Sequence, residues 1–173
     1  LAKGLNRQGA CIDLLAMNTS KHYSSLQLDD FQDHPFNTIE LIDIDNRITF
    51  FDAFKNLFSK ESYHISRFIS SSYKTALIEK LKSKSFDIIQ LETLYLCPYI
   101  DIIKQYSNAK IVLRAHNVEH EIWDRIQKNE ANFLKRVYIK YLIKKLYRFE
   151  IQAMSTVDML LPISSRDARI FES

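Results

Sequence analysis

Short apolar runs separated by longer helical patterns limit what this chain can fold into more than any other feature. Buried strands of a parallel sheet read as nearly continuous apolar runs because both of their faces are covered. Helical segments between such runs supply the crossovers that parallel strands need. The five predicted strands are residues 11–17, 38–44, 86–91, 110–115 and 159–163. The pattern predicts an α/β fold, an open parallel sheet with helices on both faces, formed as one domain by residues 1–173.

The helices are predicted from apolar positions that recur three and four residues apart. Gly9 follows the first helix at a place that favours a left-handed backbone. Ile69 is expected on the buried face of the helix over residues 68–82, and Pro98 in the first turn of another helix. A final helix should begin after Ser164, a favourable N-cap residue. The other predicted helices are residues 1–7, 50–58, 119–128 and 133–156.

The net charge bears on whether the chain binds nucleic acid, and the cysteines bear on the redox compartment in which it lies. A formal net charge of +3 over 173 residues is too small to indicate a nucleic-acid partner. Cys11 and Cys97 show neither disulfide nor metal-ligand spacing, so we expect both to be small core residues in a reducing compartment, the cytoplasm. No apolar run approaches the roughly 20 residues of a membrane-spanning helix.

Polar residues that follow the predicted strands are the candidate site residues, because open parallel sheets bind ligands outside the carboxyl ends of their strands. Glu92 follows the third strand and Ser164 the fifth. The richest segment is RAHNVEHE, residues 114–121, in which a histidine at a strand end can act on a hydroxyl or phosphate. An equally open alternative is that Arg114 pairs with a carboxylate and His116 caps a helix.

A zinc signature occurs inside the same segment. Residues 116–120, HNVEH, match the H-x-x-E-H pattern of inverted metallopeptidases. That chemistry needs both histidines on one helix and a third protein ligand. Because His116 directly follows a buried strand, we expect it not to share a helical face with His120, and we predict no metal site.

A basic segment with interleaved aromatic residues, residues 135–148, lies within the longest predicted helix. Such a helix can rest on anionic lipid headgroups. The alternative is a core-facing apolar stripe with lysines on the solvent side, which is common in α/β domains. The sequence leaves both interpretations open.

The order of these motifs resembles the N-terminal domain of glycosyltransferase family 4, whose members are retaining enzymes of GT-B architecture. The resemblance rests on FDIIQLE, then KIVLRAHNVEHEIWDRI, then RFEIQAMSTVDMLLPISSRDARIF, and it covers most of the chain from about residue 86 onward. The matching positions are Arg114, His116, Asn117, Glu119, Glu150, Asp158, Ser164 and Asp167.

The resemblance implies a Rossmann-like, acceptor-side half of a two-domain enzyme that transfers a sugar from a nucleotide-sugar donor to a glycan or lipid-linked acceptor. It implies that His116 is catalytic, that Arg114, Asn117, Glu119, Glu92 and Ser164 bind or support substrate, and that no metal or other cofactor is needed. It places the enzyme at the cytoplasmic face of a membrane, in polysaccharide biosynthesis.

The same resemblance implies that two pieces are missing. The family's first strand and glycine-rich loop should precede Leu1, and the donor-binding C-terminal domain should follow the chain. We therefore expect these residues alone to be inactive. The alternative from another class is a non-catalytic α/β module that binds a small ligand or docks on a membrane.

Overall fold

The computed structural model describes residues 1–20, 23, 34–47, 56, 59 and 62–172, and within them it forms an α/β fold. The strands are β1 (Ile12–Thr19), β2 (Phe36–Ile44), β3 (Ile88–Leu91), β4 (Lys110–Ala115) and β5 (Met159–Pro162). The helices are α1 (Ala2–Arg7), α2 (Tyr63–Ser66), α3 (Ser71–Ser83), α4 (Ile100–Tyr106), α5 (Glu119–Lys128), α6 (Phe133–Thr156) and α7 (Ser165–Phe171). A 3-10 helix, Leu94–Tyr99, leads into α4.

Every described strand pair is parallel, as predicted, but the strands form two sheets. One sheet pairs β1 with β2, and the other has the order β3-β4-β5. The prediction of a single open sheet is therefore wrong for the described residues. Strands β1 and β3, each at the edge of its sheet, line an apolar cleft that we call the interstrand cleft. These two strands do not exchange backbone hydrogen bonds.

The core is built around β4. Ile111, Val112 and Leu113 are all buried. Because successive strand residues point to opposite faces, both faces of β4 are covered. Helices α4 and α6 contribute the fully buried Ile103 and Leu146 to this core. Burial on both faces explains why residues 110–115 read as a continuous apolar run.

The first part of the chain packs more loosely. Helix α1 has no buried residue, and its flanking Leu1 is 62% exposed. Gly9 follows it with φ of 91°, which confirms the predicted left-handed position. Cys11 is exposed, so the expectation that it is a core residue is wrong, whereas Cys97 is buried as predicted.

Two predicted helices begin later than expected. Ser70 accepts a hydrogen bond from the Tyr73 amide and thereby starts α3 at Ser71, so Ile69 lies outside the helix and is half exposed. Pro98 lies within a 3-10 helix, and the α-helix begins only at Ile100. The helix predicted over residues 50–58 lies outside the described residues. The bounds of α5 and α6 match the prediction.

Candidate functional site

Strand register brings several of the predicted site residues to one edge of the β3-β4-β5 sheet. Leu91 lies level with Leu113, and Ala115 lies level with Pro162. Glu92 therefore extends β3 beside Arg114, and the segment after β5 ends beside the end of β4. Because all three strands are parallel, this edge collects their carboxyl ends, which is where open parallel sheets bind ligands.

Three of the predicted residues meet at this edge in one hydrogen-bonded group. Glu92 accepts hydrogen bonds through one oxygen, Oε2, from Arg114 Nη1 at 3.0 Å and from His116 Nε2 at 2.8 Å. Its other oxygen, Oε1, accepts a hydrogen bond from the Gln90 side-chain amide. We call these four residues the carboxylate cluster. Its members alternate along two neighbouring strands, so their side chains share one face of the sheet.

The electrostatics of the cluster favour an ionised Glu92. Partial burial alone would raise the pKa of Glu92, but hydrogen bonds from His116, Arg114 and Gln90 and the positive charge of Arg114 more than offset it and lower that pKa below its usual value. The side chains of Arg114, His116 and Glu92 are 31%, 38% and 45% exposed, respectively. The cluster is thus a charged group open to solvent at the sheet edge.

The His116 ring is held through one nitrogen, and its other nitrogen is available to a ligand. Its Nε2 faces the Glu92 carboxylate and so acts as the donor, while its Nδ1 has no hydrogen-bond partner among the described residues. The alternative that Arg114 pairs with a carboxylate and His116 caps a helix is half right, because Arg114 does pair with a carboxylate. Its other half is wrong: Val118, not His116, is the N-cap residue of α5, and the Val118 side chain makes no capping hydrogen bond.

Glu150 of α6 holds the start of α5, the helix that follows His116 in the chain. Its carboxylate accepts hydrogen bonds from the backbone amides of Glu119, at 2.9 Å, and His120, at 3.3 Å. The same carboxylate contacts His120 Nδ1 at 2.5 Å. Glu150 is 1% exposed. A buried carboxylate at a helix N-terminus satisfies free amides and complements the helix dipole, so Glu150 fixes where the segment after His116 turns into helix.

The structure places Glu119 inside the protein. Its carboxylate accepts a hydrogen bond from the Tyr95 hydroxyl at 2.8 Å. Burial, reinforced by the neighbouring Glu150 charge, raises the pKa of Glu119 even though Tyr95 and Asn117 lower it. The Glu119 carboxylate supports the turn between β4 and α5, while Asn117 itself is exposed beside His116.

Ser164 lies at the same edge, after β5. Its hydroxyl accepts a hydrogen bond from the Asp167 amide at 3.1 Å, which confirms the predicted cap of the last helix. A role of Ser164 in substrate binding stays a prediction, as do the substrate roles of the other site residues.

The two histidines of the zinc signature bond to different carboxylates, His116 to Glu92 and His120 to Glu150. Only His120 lies in α5. Within the part of the chain that is described, no group of three or more histidine, cysteine or acidic side chains is arranged to hold a metal ion.

Sequence reasoning missed Gln90, Tyr95 and the role of His120. Strand alternation placed Gln90 on the same face as Glu92, so that signal was present in the sequence. Glu150 lies on the same face of α6 as its buried apolar residues and is the one acidic residue in that helix. Because a buried carboxylate needs a partner, this position indicates that Glu150 is buried and paired. Its partners lie 30 and 31 residues earlier, beyond any local pattern.

The basic helix α6 has two different faces. Ile139, Leu142 and Leu146 are buried, as the core-facing alternative predicts. The opposite face exposes large apolar side chains beside Arg136, Lys140, Lys144 and Arg148. Those apolar residues are Phe133, Leu134, Val137, Tyr141, Tyr147 and Ile151. No helix in the described ranges has the length and apolarity needed to cross a membrane.

No protein-family model, curated protein or solved structure shows significant similarity to this chain.

Proposed function

We propose that this chain is the acceptor-side, N-terminal domain of a retaining GT-B glycosyltransferase of family 4. In this proposal the whole enzyme transfers a sugar from a nucleotide-sugar donor to a glycan or lipid-linked acceptor in polysaccharide biosynthesis. The observation that carries the proposal is the carboxylate cluster, in which Arg114 and His116 converge on Glu92 at the carboxyl edge of a parallel sheet.

The cluster suits a substrate rich in hydroxyl groups. Glu92 keeps the His116 ring in one orientation through Nε2, and the free Nδ1 can accept a hydrogen bond from a sugar hydroxyl. If the ring takes up a proton, Nδ1 becomes a donor suited to a phosphate oxygen. Arg114 keeps Glu92 ionised and in place, so it acts as a positioning residue. Asn117, exposed beside His116, adds an amide that can donate and accept.

The experiment that tests this function is sugar transfer by the complete natural protein. We would offer a panel of nucleotide sugars with glycan and lipid-linked acceptors, and compare the wild type with His116→Ala. We expect transfer, or slow donor hydrolysis, that falls by about 100-fold in the variant. Turnover that is unchanged by the substitution would remove His116 from the site. Failure of the folded protein to bind or turn over any donor would refute the enzyme proposal and favour a non-catalytic binding module.

A second candidate function, docking on an anionic membrane surface, is favoured by the exposed face of α6. Apolar side chains such as Leu134, 77% exposed, alternate there with cations. Lys140, Lys144 and Arg148 have no acidic partner among the described residues. A face that combines such cations with large apolar side chains matches the chemistry of an interfacial helix on acidic lipid. Such docking would bring a cytoplasmic enzyme to lipid-linked acceptors.

Vesicle sedimentation tests the membrane proposal. Each cation near an acidic bilayer contributes about 1 kcal/mol, so Lys140→Gln with Lys144→Gln should weaken binding to phosphatidylglycerol vesicles about 30-fold. The matched control is the same pair of changes at exposed Lys74 and Lys82 in α3. Equal binding to neutral phosphatidylcholine vesicles, or equal effects of the two variant pairs, would contradict docking through this face.

A further inference from the structure

A polar pocket with a volume of about 400 Å³ lies beyond the carboxyl end of β2. A pocket of this volume can hold a small organic ligand. It is lined by the segment after β2 and by α2 with the residues that follow it, and Asn56 and Ser59 complete the described lining. None of these residues belongs to the carboxylate cluster, so the pocket is a separate feature of the molecule.

Arg67 brings to this pocket a positive charge that no carboxylate among the described residues neutralises. Its Nη1 donates a long hydrogen bond of 3.4 Å to the Asn46 carbonyl, and its Nε is buried with no hydrogen-bond partner in the described part of the chain. Burial and, after it, the charge of Arg67 lower the pKa of His64 to about 4, so this charge is felt inside the protein. Because a buried donor without an acceptor is unfavourable, Arg67 is suited to an anionic ligand.

The other charges around the pocket do not cancel that of Arg67. Asp45 is the one acidic residue in the described lining, and it accepts two side-chain hydrogen bonds from Arg47, at 2.9 and 2.6 Å. Lys145 of α6 donates to the backbone carbonyls of Asn56 and Ser59 at 2.9 and 2.6 Å. Lys145 also has no acidic partner within the described ranges. The described charges at the pocket and its wall are therefore positive in sum.

Asn56 adds an unused acceptor to the lining. It is 7% exposed, and its Oδ1 has no hydrogen-bond partner among the residues that the structure describes. An amide oxygen of this kind accepts a hydrogen bond from a hydroxyl group. The Ser66 hydroxyl donates a long hydrogen bond of 3.4 Å to the Tyr63 carbonyl and can still accept one from a ligand. The pocket thus combines a cation with acceptors for hydroxyl groups.

We propose that this pocket binds the phosphate group of a small hydroxyl-bearing molecule. The phosphate accepts hydrogen bonds from the Arg67 guanidinium, and a hydroxyl group of the ligand donates to Asn56 Oδ1. Guanidinium and phosphate form strong charge-assisted hydrogen bonds, often two in parallel. The inference does not rest on the proposed function, because it involves no residue of the carboxylate cluster and no sugar transfer.

NMR titration of the complete natural protein with glycerol 3-phosphate tests the proposal. We expect saturable shifts with a Kd at or below about 1 mM, including a shift of the Arg67 Nε–H resonance, and weaker binding of inorganic phosphate. Arg67→Gln should weaken binding at least about tenfold, because it removes charge-assisted hydrogen bonds. The matched control, Arg169→Gln at an exposed position of α7, should bind as the wild type does. The Nε–H resonance tests the site in the wild type even if Arg67→Gln fails to fold.

Four outcomes would overturn the proposal. They are no detectable binding of glycerol 3-phosphate, an Arg67 Nε–H resonance that stays in place at saturation, equal effects of the two arginine variants, and equal affinity for glycerol 3-phosphate and inorganic phosphate. Vesicles that contain phosphatidic acid distinguish two sources of the same chemistry. Displacement of glycerol 3-phosphate by these vesicles would assign the phosphate to a lipid headgroup, and a lack of displacement would assign it to a soluble molecule.

Discussion

Removing the Glu150 carboxylate should destabilise the protein more than any single change at its surface. Glu150→Ala leaves the backbone amides of Glu119 and His120, and the His120 ring, without their buried acceptor. An unsatisfied buried donor costs about 1–3 kcal/mol, and three donors lose their acceptor here. Water that enters the new cavity would recover part of this. We expect a net loss of about 4 kcal/mol, a large share of an ordinary folding free energy.

Urea unfolding measured by tryptophan fluorescence is the appropriate assay, because the chain has one tryptophan and it lies in α5. With a slope of about 2 kcal/mol/M, a loss of about 4 kcal/mol lowers the midpoint by about 2 M urea. Glu150→Gln keeps one oxygen acceptor and should cost about half as much. Glu79→Ala, at an exposed position of α3, is the control and should stay within about 0.5 kcal/mol of the wild type.

A free energy of unfolding of Glu150→Ala within about 1 kcal/mol of the wild-type value would contradict this prediction. The carboxylate would then contribute little beyond filling space, and the start of α5 would be held by other contacts. A large loss for Glu150→Ala together with none for Glu150→Gln would show that the amide replaces the carboxylate fully. The charge on Glu150 would then be unimportant.

Two further predictions concern buried titratable groups. Burial and the nearby Arg67 lower the pKa of His64 to about 4. Between about pH 6.5 and pH 4, His64 is therefore protonated in the unfolded chain but neutral in the folded protein. Relative to His64→Phe, the free energy of unfolding should be highest above about pH 6.5 and should fall by about 3 kcal/mol as the pH is lowered to about 4. Urea midpoints of the two proteins that change in parallel with pH would contradict this prediction. Burial, with the nearby Glu150 charge, raises the pKa of the Cys97 thiol to about 12. Iodoacetamide at pH 8 should therefore modify exposed Cys11 at least about 100-fold faster than Cys97, and comparable rates in peptide mass analysis would contradict it.

The sequence predicted the elements best where their pattern was long or fully buried. Strand β4 and helices α5 and α6 appear with the predicted bounds because their periodicity comes from burial that the fold indeed provides. The start of α3 was missed because the Ser70 cap outweighed an apolar pattern that continued back to Phe68. Cys11 was assigned to the core from apolar neighbours, although it lies just before β1 rather than within it.

The candidate site was only partly predictable from sequence. Parallel pairing made it foreseeable that Glu92 and the segment 114–117 share an edge. The sequence does not encode which side chains touch, since the contact of Glu92 with His116 spans 24 positions and depends on side-chain rotamers. The contact of Glu150 with His120, which spans 30 positions, could not be predicted for the same reason. The interstrand cleft was equally hidden, because no local pattern records how far apart two strands settle.

The proposed function places the site at the carboxyl edge of the β3-β4-β5 sheet and not at its amino edge. Strand β4 offers a matched pair of cations for testing it, Arg114 at one end and Lys110 at the other, each paired with a carboxylate. The decisive measurement is kcat/KM of the complete natural protein with Arg114→Ala and with Lys110→Ala. We predict at least a tenfold loss, about 1.4 kcal/mol of transition-state stabilisation, for Arg114→Ala and less than about a twofold change for Lys110→Ala. Equal effects in two folded variants would contradict the assignment of the site to this edge.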